Sequence, residues 1–140
     1  MREDEHVASV RSAGESDIPT LCDLYLEFHE FHAERIPERL RSLRSAWHKE
    51  AEYLAEQLQI IVASDDSQIL VAELEGEIVG FGEIYLRTEE QTRARPGSRY
   101  CHVQSMFVAS PWRGTGLGRL LMAASEAFRL VAFSTTNRMS

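Results

Sequence analysis

The 140-residue sequence predicts an α/β (α+β) fold, a β-sheet with helices packed on it. Three observations predict it. The order of hydrophobic periods reads strand, two helices, three strands, helix along the chain. Hydrophobic residues make up 44% and charged residues 26%, a globular composition. At this length folding buries roughly 68–70% of the unfolded chain's surface, so a single core needs no staple. We read residues 1–140 as one domain, with no internal repeat, low-complexity stretch or long linker.

In chain order, His6–Ser12 (HVASVRS) reads as a short strand with Val7 and Val10 as its apolar members. Ser16 and Asp17 offer an N-cap to a helical stripe at Ile18, Leu21, Cys22, Tyr25, Phe28 and His32, which Pro37 stops. A second stripe at Trp47, Ala51, Leu54, Leu58 and Ile61 predicts a second amphipathic helix. The period then shortens. Ile69–Leu74 and Ile78–Arg87 read as strands joined by Glu75-Gly76-Glu77, a hairpin that completes a segment spanning residues 6–87. Thr88–Arg99, with Pro96-Gly97, reads as an exposed polar loop. Tyr100–Val108 follows as a strand whose alternation fails around Ser105–Phe107, as a β-bulge would make it fail. A glycine-rich turn then leads into a helix with Leu117, Leu120, Leu121, Ala124 and Phe128 on one side, so residues 100–130 form a strand–loop–helix unit.

Charge and cysteine content exclude several classes. The 22 acidic residues against 15 basic ones leave a net charge of −7, which disfavours a nucleic-acid partner and favours a cationic one such as an amine. Only Cys22 and Cys101 are present, in no CxxC arrangement, so neither a disulfide scaffold nor a zinc ribbon is expected. No apolar run approaches the roughly 18 residues that span a membrane, and Met1–His6 is charged. The expectation is a soluble, cytoplasmic protein with no membrane partner.

The informative segment is Arg113–Gly118 (RGTGLG), placed between a strand and a helix. Its three glycines let the backbone approach a ligand closely, and the helix that follows aims its free N–H groups and positive dipole end there. Such a site suits a phosphate or pyrophosphate, with Arg113 and Arg119 flanking it. It is not a nucleotide P-loop, because Gly118 is followed by Arg119-Leu120 rather than Lys and Ser/Thr. Nor does it fit the dinucleotide fingerprint, which requires a glycine where Arg119 stands. A ligand-free structural turn stays open on the glycines alone.

The run VQSMFVASPWRGTGLGRLLM, from Val103 to Met122, resembles the acetyl-CoA-binding motif of the GNAT superfamily of N-acetyltransferases. The family's pattern of Arg or Gln, two free positions, Gly, one free position, then Gly or Ala is met by Arg113, Gly116 and Gly118. The preceding apolar strand, the Pro-x-x-Arg lead-in and the order of elements over residues 6–87 also match. The resemblance implies a mixed, mainly antiparallel sheet with helices on both faces. It further implies acetyl-CoA as co-substrate and direct attack by a primary amine, with no metal and no covalent acyl-enzyme. In similar proteins the bulged strand pairs with the pantetheine arm, here near Met106, Phe107 and Val108. The amides of Gly114, Thr115, Gly116, Leu117 and Gly118 would wrap the pyrophosphate, with Arg119 at their border. A backbone N–H near Met106 would steady the developing oxyanion.

Where many members carry an acid on the bulged strand, this chain has Gln104, which cannot act as a base. Glu83 on the preceding strand is the substitute we assign as catalytic base, the competing reading being a solvent-facing strand glutamate. His102 is a second substitute, or a surface residue of its strand. No tyrosine follows Tyr100, so none matches the family's general acid. After the helix the family continues with further strands; here Val131–Ser140 either starts the next strand or extends the helix. The sequence thus reads as a C-terminally truncated member with an atypical tail, residues 131–140. Its alternative function is a catalytically impaired module that acts through CoA binding or protein association. Uncovered apolar surface then predicts a homodimer, with Val131–Thr136 at or exchanged across the interface. His29 and His32 could begin a metal site with Glu30, but no third ligand recurs at a supporting spacing, and two ordinary helix histidines are the preferred reading. Tyr25, Phe28 and His32 belong to the region that borders the acceptor in similar proteins, although core packing accounts for the stripe.

Overall fold

The computed structural model describes residues 8–139, with side chains described over residues 8–129. Seven main elements follow in order: β1 (Ala8–Ser12), α1 (Ile18–Arg35), α2 (Trp47–Ala63), β2 (Ser67–Leu74), β3 (Glu77–Glu89), β4 (Ser98–Val108) and α3 (Leu117–Met139). His6 and Val7, expected to open the first strand, lie outside the described residues. The strands form a sheet in the order β1-β2-β3-β4, and every described pair is antiparallel.

Helices cover both faces, because side chains alternate across the strands. Ile69, Val71, Phe81 and Phe107 point to the face packed by α1 and α2, where Leu21 and Leu58 are wholly buried. Leu70, Ala72, Val79 and Ile84 point to the opposite face, where Leu117 and Leu121 of α3 meet them. Strands buried on two sides read as continuous apolar runs, which is why β2 and β3 stand out in the sequence. Leu120, expected on the packed side of α3, is instead one of its exposed apolar residues, and Ser125 is buried in its place. Ser125 satisfies its hydroxyl on the Leu121 carbonyl one turn back.

The local geometry explains several boundaries. The β2–β3 hairpin closes with Glu75 and Gly76 at φ 53° and 82°, two left-handed positions that match the strands' twist. The loop expected over residues 88–99 is shorter, because β3 runs to Glu89 and β4 begins at Ser98. Asp17 does not cap α1 through its side chain. Its carboxylate accepts from the Gly14 N–H at 2.8 Å and from the Arg11 guanidinium at 2.7 and 2.9 Å, tying β1 to the helix entry.

The bulge lies one residue earlier than the alternation suggested. Glu83 pairs with Ser105 and Ile84 with Val103, so Gln104 is the extra residue of β4. The segment after Leu130 continues as helix through Met139, so the tail extends α3 rather than starting a strand. The side chains of Val131–Thr136, assigned to a dimer interface, lie outside the described residues.

Candidate active site

The strand–loop–helix unit forms as its residues dictate. Gly114 and Gly116 have φ of 81° and 91°, a region L side chains rarely adopt, and they turn the chain from the Ser110–Trp112 turn into α3. A Cβ built on Gly114, Gly116 or Gly118 would meet nothing within 4 Å, so the space above this loop is open. At this end Leu120 N–H donates to the Gly116 carbonyl at 3.1 Å, and the amides before it have no acceptor inside the helix. A loop of open glycines ending in unsatisfied amides is chemically suited to a pyrophosphate. Thr115 turns its hydroxyl back onto the Trp112 carbonyl, which braces the loop from within.

Arg113 is anchored within the protein. Its Nε donates to the Val108 carbonyl at 2.9 Å, and its guanidinium lies 4.2 Å from the Phe31 ring centre and 5.0 Å from that of Phe107. The motif arginine therefore locks the loop to the end of β4 and to α1. Arg119 is exposed at the start of α3. Met106 and Val108 lean toward the α3 face, while Phe107 is buried against α1.

Glu83 is 8% exposed, so the solvent-facing reading of this residue is wrong. It lies directly beside the Gln104 bulge. One carboxylate oxygen accepts the Tyr25 hydroxyl and the other accepts the Tyr85 hydroxyl at 2.5 Å. Burial pushes the Tyr25 phenol well above its usual range, and the charge and hydrogen bond of Glu83 add to the shift. Burial likewise raises Tyr85, again helped by its bond to Glu83. Both phenols keep their protons at neutral pH and donate them to the carboxylate. His102 is exposed and shares a 3.1 Å contact with Gln104, so it occupies the strand surface.

A cleft of about 470 Å³ opens between α1, the segment after it and α2. Tyr25 and Phe28 form part of its wall, with Trp47, Glu50, Tyr53 and Leu54 contributed by α2. The Tyr25 ring stacks on Phe81 at 4.2 Å, and Phe28 meets Phe107 edge-on at 5.5 Å, so the wall rests on β3 and β4. Tyr25 thus lies on the cleft at one side and on Glu83 at the other. The segment after α1 is held by Glu30, which is buried and accepts the Leu43 N–H at 2.7 Å and the Ser42 hydroxyl at 3.0 Å.

His29 and His32 line the same cleft without joining Glu30. His29 Nε2 donates to the Arg41 carbonyl at 2.7 Å, and His32 Nδ1 to the Phe28 carbonyl at 2.8 Å. Among the described residues no three His, Cys, Asp or Glu side chains converge. Both cysteines are free thiols, and burial pushes each above its usual value.

Sequence reasoning assigned the glycine loop, the bulged strand and Glu83 to one site; the structure sets Glu83 beside the bulge and ties the loop to the end of the same strand through Arg113. It missed Tyr85 as a partner of Glu83, and it missed Trp47, Glu50 and Tyr53 as cleft residues. The spacing of Trp47 and Leu54 carried a signal, but an apolar stripe reads identically whether it faces a core or a cleft. No described helix is long and apolar enough to cross a membrane.

Comparison with known proteins adds four findings. The family model for the acetyltransferase (GNAT) family matches residues 20–131. An aminoglycoside N(6')-acetyltransferase type 1 from Stenotrophomonas maltophilia is 29% identical over 82 residues, covering 59% of this chain and 53% of that protein. The chain's match therefore spans about half the length of that relative. The fold resembles that of a variant of a Bacillus halodurans protein, with a TM-score of 0.76 and 22% identity over 88% of this chain and 75% of the other. It also resembles an aminoglycoside N-acetyltransferase crystallised with CoA, with a TM-score of 0.64 and 14% identity over 91% of this chain and 72% of that one.

Proposed function

The chain belongs to the acetyltransferase (GNAT) family, and from that premise we propose that it transfers an acetyl group from acetyl-CoA to a primary amine by direct attack. The observation that carries the reading is the position of Tyr25, which lines the cleft while donating its hydroxyl to the buried Glu83 beside the bulge.

Acetyl-CoA supplies a thioester acyl group, already activated toward an amine. The residues that would hold it are the edge of β4 at Met106, Phe107 and Val108 and the loop Gly114–Gly118, with Arg119 beside the loop. Arg113 would act on the cofactor indirectly, through the loop position it fixes. The described geometry fits this role, since nothing fills the space above the three glycines.

An amine arrives as an ammonium and must lose a proton before its lone pair can attack. Glu83 is the terminal acceptor of that proton. Tyr25 oxygen takes a proton from the amine as the Tyr25 hydroxyl proton passes to Glu83, so the phenol is neutral before and after. The nitrogen–carbon bond then forms as the carbon–sulfur bond breaks, and the second proton of the attacking nitrogen leaves with the sulfur, so the products are the amide and the free CoA thiol. Two raised, protonated thiols offer no ready nucleophile, which supports direct attack over an acyl-cysteine intermediate.

The relative from Stenotrophomonas maltophilia favours a second reading of the acceptor, an aminoglycoside amine. We also place the protein in the cytoplasm as a homodimer. Free thiols support the first. The second is supported by β4, whose described strand neighbour is β3 alone.

Thiol release from acetyl-CoA, followed with and without a primary amine, tests the activity. Amine-dependent release is expected, and Glu83→Gln should lower turnover by roughly 10²–10⁴-fold. Unchanged turnover in a folded Glu83→Gln protein would clear Glu83 of the role.

A further inference from the structure

We propose that the cleft selects a primary amine carried on an aromatic or other bulky apolar body with a single positive charge, an inference that rests on the acetyl-transfer reading. The cleft's volume of about 470 Å³ suits a small molecule. Phe28, Trp47, Tyr53 and Leu54 give it aromatic and aliphatic walls. Aromatic faces take both an aryl body and a neighbouring cation.

Its polar equipment is sparse. Glu50 is the one carboxylate among the described residues of the wall. Glu30, close by in sequence, spends its carboxylate on Leu43 and Ser42. His29 and His32 each commit a ring N–H to a backbone carbonyl. An aminoglycoside brings several ammonium groups and many hydroxyls, and each one that loses water without gaining a partner costs binding. Glu50 can balance one charge. Tyr25, whose hydroxyl is fixed by Glu83, is the part of the wall at which the reacting nitrogen is received.

The test compares kcat/KM for 2-phenylethylamine, putrescine and kanamycin, each with acetyl-CoA. Phenylethylamine should exceed the other two by at least tenfold. Tyr53 is 63% exposed, so Tyr53→Ala leaves the fold intact; it should raise KM for phenylethylamine several-fold with little change in kcat. Equal or better use of kanamycin or putrescine would overturn the selectivity. Binding is read separately from chemistry by quenching of Trp47 fluorescence in a Trp112→Phe protein. Quenching by phenylethylamine without thiol release from any amine would keep the cleft's selectivity and sink the acetyl-transfer reading. Thiol release with kanamycin and no quenching by phenylethylamine would do the reverse. Neither signal would overturn both.

Discussion

At Glu83 a single carboxylate stands between two phenols, and that arrangement decides what the residue can do. Tyr25 and Tyr85 satisfy its two oxygens, so the buried group has hydrogen-bond partners. Tyr25→Phe removes the proton's path and leaves the ring's stacking on Phe81 intact. Turnover should fall at least tenfold in that variant while acetyl-CoA affinity holds, and equal turnover would exclude the phenol from proton transfer. The candidate base was legible in the sequence because an acid in an apolar strand is conspicuous. Tyr25 was not, since it lies 58 positions away on another element and only tertiary packing joins the two; Tyr85, two positions along the same strand and so on the same face, did carry a signal. The glycine loop was legible for the opposite reason. Its geometry is local: positive φ at Gly114 and Gly116 and a helix start are written in adjacent residues.

Among the elements, the junction of β1 and α1 carries a pH-dependent latch. Arg11 bridges Asp17 and Glu73, and its guanidinium holds the Asp17 carboxyl down at about 2, against an ordinary value of 3.8. A depressed carboxyl contributes stability that is fully present above its ordinary value and lost as pH falls through the folded-state one. Unfolding free energy should therefore drop between about pH 4 and pH 2, by on the order of 1–2 kcal/mol, because Arg11 is partly exposed and screened. Chemical denaturation across that range checks it, and Arg11→Ala should flatten the drop; an unaltered profile would dismiss the latch. Element types were readable because the helical stripes of α1 and α2 and the apolar runs of β2 and β3 are long. Boundaries were less so. Pairing with β3 draws Ser98 and Arg99 into β4, although the residues alone read as loop. Gln104 takes the bulge because Glu83 and Ile84 fix the register on its two sides.

For the whole molecule, two hydrophobic clusters share one sheet, and the candidate site lies along β3 and the edge strand β4. Gly80 shows how tightly β3, β4 and α3 are coupled. A Cβ there would come within 2.8 Å of the Phe107 carbonyl and 3.5 Å of Leu121, so Gly80→Ala should strain the bulged strand and lower stability. The edge of β4 at Ser98–His102 is where a second copy would pair. Sedimentation equilibrium at micromolar concentration should give a dimer, with an interface above about 2,000 Å². A stable monomer would contradict that assembly. The most direct measurement of the central claim is calorimetric titration of acetyl-CoA into the protein and into Gly116→Glu. Saturable binding at the parent loop is expected, weakened at least tenfold, about 1.4 kcal/mol, by a carboxylate set against the pyrophosphate. Equal affinity in the two proteins, or no binding to the parent, would contradict it.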